Sequence, residues 1–165
     1  MKNTRRLVTL AATVAVAMVL SYLESLIPAF TAIPGIKVGF ANIAIIFTLY
    51  RLGAREAVLV SVIRVALSSI LFGSPVSFIY ALAGATLSLT LMAILKRFTP
   101  LATVTVSIVG GITHNLAQIG VASLLLETDV FTYYFPFLLL SGTVAGIVVG
   151  IAGYQLIKRI KLQLK

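Results

Sequence analysis

Apolar side chains in this sequence come in long runs that follow neither the two-residue alternation of a half-buried strand nor the one-sided stripe of a soluble helix. The runs cover about 7–27, 36–50, 56–71, 76–95, 101–126 and 133–157. A helix needs about 20 mostly apolar residues to cross ~30 Å of hydrocarbon at 1.5 Å per residue, and six such crossings fit in the chain. Turn formers separate the runs: Pro28 and Pro34-Gly35, then Gly53, then Gly73-Ser74-Pro75, then Pro100. Short turns of this kind place consecutive helices side by side and antiparallel. The pattern predicts an all-α integral membrane protein, one transmembrane domain over 1–165 with six crossing helices. A transmembrane β-barrel would alternate in segments of about ten residues, which these runs do not.

Composition sharpens that reading. Of 165 residues, 60% are hydrophobic and 10% charged, and the mean hydropathy is +1.12, against ~25% charged residues in soluble domains. An ordinary soluble domain is excluded. The net charge of +9 suits a nucleic-acid binder in isolation, but apolar runs separate the cations, which points to a lipid bilayer and no nucleic acid. Eleven of the 13 Lys and Arg residues fall before the first run, between the second and third, between the fourth and fifth, or after the sixth. Because cations are retained on the cytoplasmic side, both termini are expected there, in the cytoplasmic membrane of a prokaryotic cell. The start imitates a secretory signal, with Lys2 to Arg6 and then Ala15-Val16-Ala17. Its apolar run continues past the usual signal core, so retention as the first helix is expected.

Catalytic chemistry has little to work with. The chain has no cysteine, one histidine and one aspartate, Asp129, which excludes disulfides, thiolate metal sites and most Ser/His/Asp arrangements. No enzyme activity and no cofactor are expected.

Ionisable groups within a bilayer require a partner, a watery cavity or a ligand. Arg64 lies nine residues past Arg55, ~13 Å into the membrane at helical rise. Glu24, 18 residues after Arg6, falls near the outer face. His114, Asn115 and Gln118 occupy the outer half of the fifth run, and Lys37 and Asn42 open the second. One outward-facing pocket would account for all seven, with Lys37 and Arg64 favouring an anion. The plain alternatives are a structural Glu24–Arg64 ion pair, a Lys37 that snorkels to the interface, and Asn42, Asn115 and Gln118 as interhelical hydrogen-bond glue. Small residues recur at four-residue intervals at Ala11 and Ala15 and at Gly142, Gly146 and Gly150. Such strips permit close helix approach, within the chain or toward a partner. Gly84 with Ser88, and Gly110-Gly111, read as packing or helix distortion beside a cavity.

The stretch Pro34-Gly35-Ile36-Lys37-Val38-Gly39-Phe40-Ala41-Asn42 resembles the P-G-I-K-x-G-x-A-N signature of the Gx transporter family, also called heptaprenyl diphosphate synthase component I. Gly110-Gly111-Ile112-Thr113-His114-Asn115 with Gln118 resembles its fifth-helix motif, and Arg64, Phe72-Gly73 and Ala83-Gly84 match its other recurring positions. That family in turn is similar to the substrate-binding S-components of energy-coupling factor transporters. The resemblance implies a six-helix bundle whose first external loop, Pro28 to Gly35, covers an outward pocket. It also implies that Ala11 and Ala15 dock on a transmembrane coupling subunit driven by two ATPase subunits. The sequence itself carries no Gly-rich Lys-Ser/Thr phosphate loop.

The expected function is therefore uptake of a small, anionic, vitamin-like molecule. Its pocket would be built from Glu24, Lys37, Asn42, Arg64, His114, Asn115 and Gln118. The alternative is a non-transporting membrane partner in isoprenoid or quinone metabolism, or in flavin-dependent electron transfer. Prenyl transfer by this chain alone is disfavoured, since magnesium needs several oxygen ligands and Asp129 is the one aspartate.

Overall fold

The structure is a computed structural model that describes residues 2–27, 39–126 and 130–160. Six helices follow in chain order: α1 (Lys2–Ser25), α2 (Ala41–Arg51), α3 (Ala54–Phe72), α4 (Pro75–Phe98), α5 (Thr103–Leu126) and α6 (Val130–Arg159). There is no strand among the described residues. The turn formers act as their chemistry requires. Gly53 takes φ +125°, open chiefly to glycine, and lets α2 reverse into α3. Ser74 accepts from the Ser77 N–H in a capping box, with Pro75 in the first turn of α4. The predicted second helix began at Ile36, whereas α2 starts at Ala41 and Ile36 lies outside the described residues.

Four stretches are long and apolar enough to cross a membrane: Thr4–Ser25, Pro75–Phe98, Thr103–Leu125 and Tyr134–Arg159. The other two helices fall short for different reasons. With 11 residues, α2 reaches only ~16 Å. With 19 residues α3 is long enough, but it carries Arg55, Glu56 and Arg64. Large apolar side chains face outward along the whole bundle, Ile70 at 78%, Leu124 at 81% and Leu140 at 66% exposure. Exposed apolar surface of this extent marks faces that meet lipid or another protein, and with the long apolar helices it fits a membrane setting.

Helix α2 is buried on nearly every face, from Ala44 through Leu49. It packs against α1, α3 and α6, while α3 meets α4, α4 meets α5, and α5 meets α6. Five helices thus form a ring, with α1 laid outside on α2 and α3. The tightest seam is α5–α6, where Gly142, Gly146 and Gly150 sit on the backbone of Ile112, Ile108 and Val104. A Cβ at Gly146 would stand 2.5 Å from the Ile108 Cα, and one at Gly111 2.4 Å from the Gly142 carbonyl oxygen. The glycine strip is consumed inside the chain, the first of its two sequence readings.

Cations gather at one end of the bundle. Arg6 pairs with Glu56, Arg51 donates to the Ile157 carbonyl, and the Lys96 ammonium donates to the Leu49 carbonyl at 2.5 Å. The Lys96 ammonium also lies 5.0 Å from the Tyr50 ring centroid. These contacts join the start of α1 to the first turn of α3, and the last turns of α2, α4 and α6 to one another, while the Leu52-Gly53 turn brings the two groups together. Successive helices therefore alternate in direction, and the first turn of α1 and last turn of α6 share the basic end. A core of Ile45, Ile46, Leu49, Ala57, Val60, Leu89, Met92, Val106 and Val149 fills the half nearest it.

Candidate functional site

Above that core, away from the basic end, the ring encloses a cavity of about 40 Å³. Glu24 from the end of α1, Gly39 and Asn42 from the start of α2, and Arg64 from the middle of α3 line one side. Ile46 of α2, Ser88 and Met92 of α4, Ser107, Gly110, Gly111, His114 and Asn115 of α5, and Ala145, Gly146 and Val149 of α6 complete it. Five of the seven predicted binding residues thus meet in one place: Glu24, Asn42, Arg64, His114 and Asn115. Gln118, one turn beyond His114, does not line the cavity. It is buried at 4% exposure, its Oε1 without a hydrogen-bond partner among the described residues, with its Cγ against Gly84. Lys37 and the Pro28 to Gly35 segment lie outside the described residues.

Each polar group is held by a distinct local device. The Glu24 carboxylate accepts the Gly39 N–H at 2.6 Å. It thereby places a negative charge at the N-terminus of α2, where the helix dipole favours one. Gly39 has φ +77°, a backbone setting that turns its N–H toward Glu24. The Arg64 guanidinium donates to Asn42 Oδ1 at 3.1 Å, and its buried Nε has no hydrogen-bond partner among the described residues. Among the described residues the one ion pair within 4 Å is Arg6–Glu56. Glu24 and Arg64 therefore share a cavity without an N···O contact within 4 Å.

On the other wall, the Asn115 side-chain amide donates to the Leu138 carbonyl at 3.1 Å and to Ser141 Oγ at 3.0 Å. Asn115 thus clamps α5 to α6, so the hydrogen-bond-glue reading holds for its amide nitrogen. His114 rests against α4 where Gly84 leaves room: a Cβ there would come within 2.9 Å of both Cε1 and Nε2. Ser88 Oγ donates to the Gly110 carbonyl at 2.8 Å, fixing α4 to α5 at the floor. Of the small residues whose sequence reading is packing or helix distortion beside a cavity, Ser88 and Gly110-Gly111 line it, whereas Gly84 does not and gives room to His114 and Gln118. Ser107 and Met92 escaped that reading. A hydroxyl or thioether in an apolar helix carries no pattern of its own, and only the α4–α5–α6 packing turns them inward.

The chemistry offered is a guanidinium, amide and imidazole groups around it, and the Glu24 carboxylate on the same side. Arg suits planar anions, which its fork engages in pairs of hydrogen bonds. Room is the constraint. One water takes ~10–15 Å³ on this measure, so the cavity holds about three waters, while pockets for small organic ligands span ~300–1,000 Å³. Elsewhere, Ala11 and Ala15 are both exposed on the outer face of α1.

The model of the family described as heptaprenyl diphosphate synthase component I matches residues 13–156 of the chain. No curated protein and no solved structure matches it.

Proposed function

The chain belongs to the heptaprenyl diphosphate synthase component I family, the Gx transporter family, and is a multi-pass membrane protein; from that premise we propose that it is a substrate-capture subunit for a small anionic molecule. The carrying observation is the single cavity that gathers Glu24, Asn42, Arg64, His114 and Asn115 from four helices. In this reading the bundle makes six crossings. The basic end lies in the cytoplasm by the retention of cations there, and the cavity faces outward. Arg64 meets the anionic group, Asn42 and His114 set orientation, and Glu24 takes a cationic group or the N-terminus of α2.

A cavity of about 40 Å³ is the contracted state of such a site. Capture of an organic anion requires it to widen roughly tenfold. In this reading the element that moves is α1, which packs chiefly on α2 and α3 and is tied to the site by the Glu24 to Gly39 hydrogen bond. Transport then needs partners: a transmembrane coupling subunit seated on Ala11 and Ala15, and two ATPase subunits behind it. Alternating access requires a moving body around the loaded site, and the chain itself has no nucleotide-binding motif.

The synthase wording of the family name fits these residues poorly. Magnesium-dependent diphosphate chemistry draws on clustered carboxylates. The four acidic residues are Glu24, Glu56, Glu127 and Asp129, and among the described residues no group of three His, Cys, Asp or Glu could hold a metal. We read the chain as non-enzymatic, with any catalysis in a complex belonging to another subunit.

The test is mass spectrometry of small molecules that co-purify with the intact chain, before and after Arg64→Gln. A water-soluble carboxylate or phosphate compound retained by the wild type and lost in the variant, with helicity unchanged, is the expected result. A retained quinone or polyprenyl compound would instead make the protein a membrane scaffold. Retention of the anion by a folded R64Q would remove Arg64 from the site.

A further inference from the structure

A second hollow of about 280 Å³ lies on the outer surface of the bundle, between α3 and α4. Its walls are apolar or small, including Val58 and Val62 from α3 and Ala85, Thr86, Thr90 and Ile94 from α4. Antiparallel packing pairs the first turn of α3 with the last turns of α4, so the hollow is a groove that begins at the basic end. Along α4 it runs from Leu82 to Ile94, about 18 Å at helical rise. That is close to half of a ~30 Å hydrocarbon core. Its volume is roughly twice the ~150 Å³ of an engineered cavity that takes up benzene. Because the groove opens sideways from an apolar, membrane-embedded surface, a lipid chain is what it meets.

The charges at its mouth narrow the choice of lipid. Arg55 follows the lining residue Ala54, and Arg97 lies one turn beyond the lining residue Ala93. Both are exposed. Nearby Arg6, Arg51 and Lys96 are engaged by Glu56, the Ile157 carbonyl and the Leu49 carbonyl. By contrast, Arg55 forms no hydrogen bond or ion pair among the described residues, and Arg97 rests over the Phe98 ring at 5.4 Å. Two cations with unused donors thus stand at the headgroup end of a groove with the length of one leaflet.

We propose that the α3–α4 groove is a binding site for an anionic phospholipid, one acyl chain lying in the groove and its phosphate held by Arg55 and Arg97. Basic pockets between helices on the cytoplasmic side bind acidic headgroups in this way. The site is separate from the inner cavity and does not depend on what that cavity carries.

Native mass spectrometry of the intact chain tests it, with phosphatidylglycerol and phosphatidylcholine of identical acyl chains added in equal amounts. Each basic side chain near the surface contributes about fivefold, so the wild type should prefer one phosphatidylglycerol by roughly 25-fold. The double variant R55Q/R97Q should bring the two lipids near parity. Thr90→Trp, which fills the groove from its exposed side, should lower retention of phosphatidylglycerol. If the double variant fails to fold, Arg97→Gln alone should lose about fivefold of the preference. Equal retention of both lipids by the wild type would overturn the proposal. So would an unchanged preference in the arginine variants, or full retention by T90W, which would place the lipid on other basic residues.

Discussion

Replacing Gly146 by alanine tests the close seam that shapes the inner cavity. The added Cβ would lie 2.5 Å from the Ile108 Cα, 2.8 Å from the Ser107 carbonyl oxygen and 3.0 Å from the Ile108 nitrogen. All three are backbone atoms, so no rotamer change relieves the contact. Ordinary contact begins near 3.4 Å, so α5 and α6 must part by about 0.9 Å. Overpacking of this kind costs about 1–3 kcal/mol, partly offset by up to ~1 kcal/mol from the higher helix propensity of alanine. A net loss of about 1–2 kcal/mol corresponds to a Tm lower by roughly 2–8 °C for a chain of this size. Gly120 is the internal control. A Cβ there meets nothing within 4 Å, so Gly120→Ala should leave Tm unchanged or raise it by a few degrees, on the order of the propensity gain. Since the chain has neither cysteine nor tryptophan, circular dichroism at 222 nm during heating in detergent is the suitable assay. A Gly146→Ala protein as stable as the wild type, or equal losses at both positions, would refute the seam.

Other contacts yield smaller tests. Glu24→Gln keeps an oxygen for the Gly39 N–H but removes the charge that strengthens the bond and favours the helix N-terminus. About 1 kcal/mol should be lost locally, read as a roughly fivefold drop in hydrogen-exchange protection of the Gly39 amide with global Tm little changed. Ala15→Leu places bulk on an exposed face of α1, so Tm should move by no more than about 0.5 kcal/mol equivalent. Co-purification with a coupling subunit should be abolished, and normal complex formation would refute docking there. Glu56→Gln removes the ion pair to Arg6, whose side chain is 54% exposed. Solvent screening limits the loss to at most ~1 kcal/mol, and the difference from wild type should shrink further in high salt.

The inner cavity shows how far residue type alone carries a site. Arg64, Glu24 and His114 stood out because each is costly in hydrocarbon, and the structure brings these three into one cavity. The price of burial says that a partner must exist, without saying which. Arg64 takes Asn42 and Glu24 takes the Gly39 N–H, although charge alone favours joining the two. Gln118 carries the same polar signal as Asn115. One turn of helix sends it beside Gly84, out of the cavity, while Asn115 reaches both the cavity and α6.

What the chain determined by itself is what depends on local composition: apolar runs, their turn formers, the uneven distribution of cations and hence an all-helical membrane protein. Those properties follow from transfer of each segment into hydrocarbon and need no knowledge of neighbours. Tertiary packing decided the rest. It buried seven of the 11 residues of α2 among α1, α3 and α6, used the glycines of α6 against the α5 backbone, and left Ala11 and Ala15 facing outward. Identical small-residue spacing serves opposite ends in α1 and α6. Spacing defines a face of a helix, and only the surrounding helices determine what that face meets.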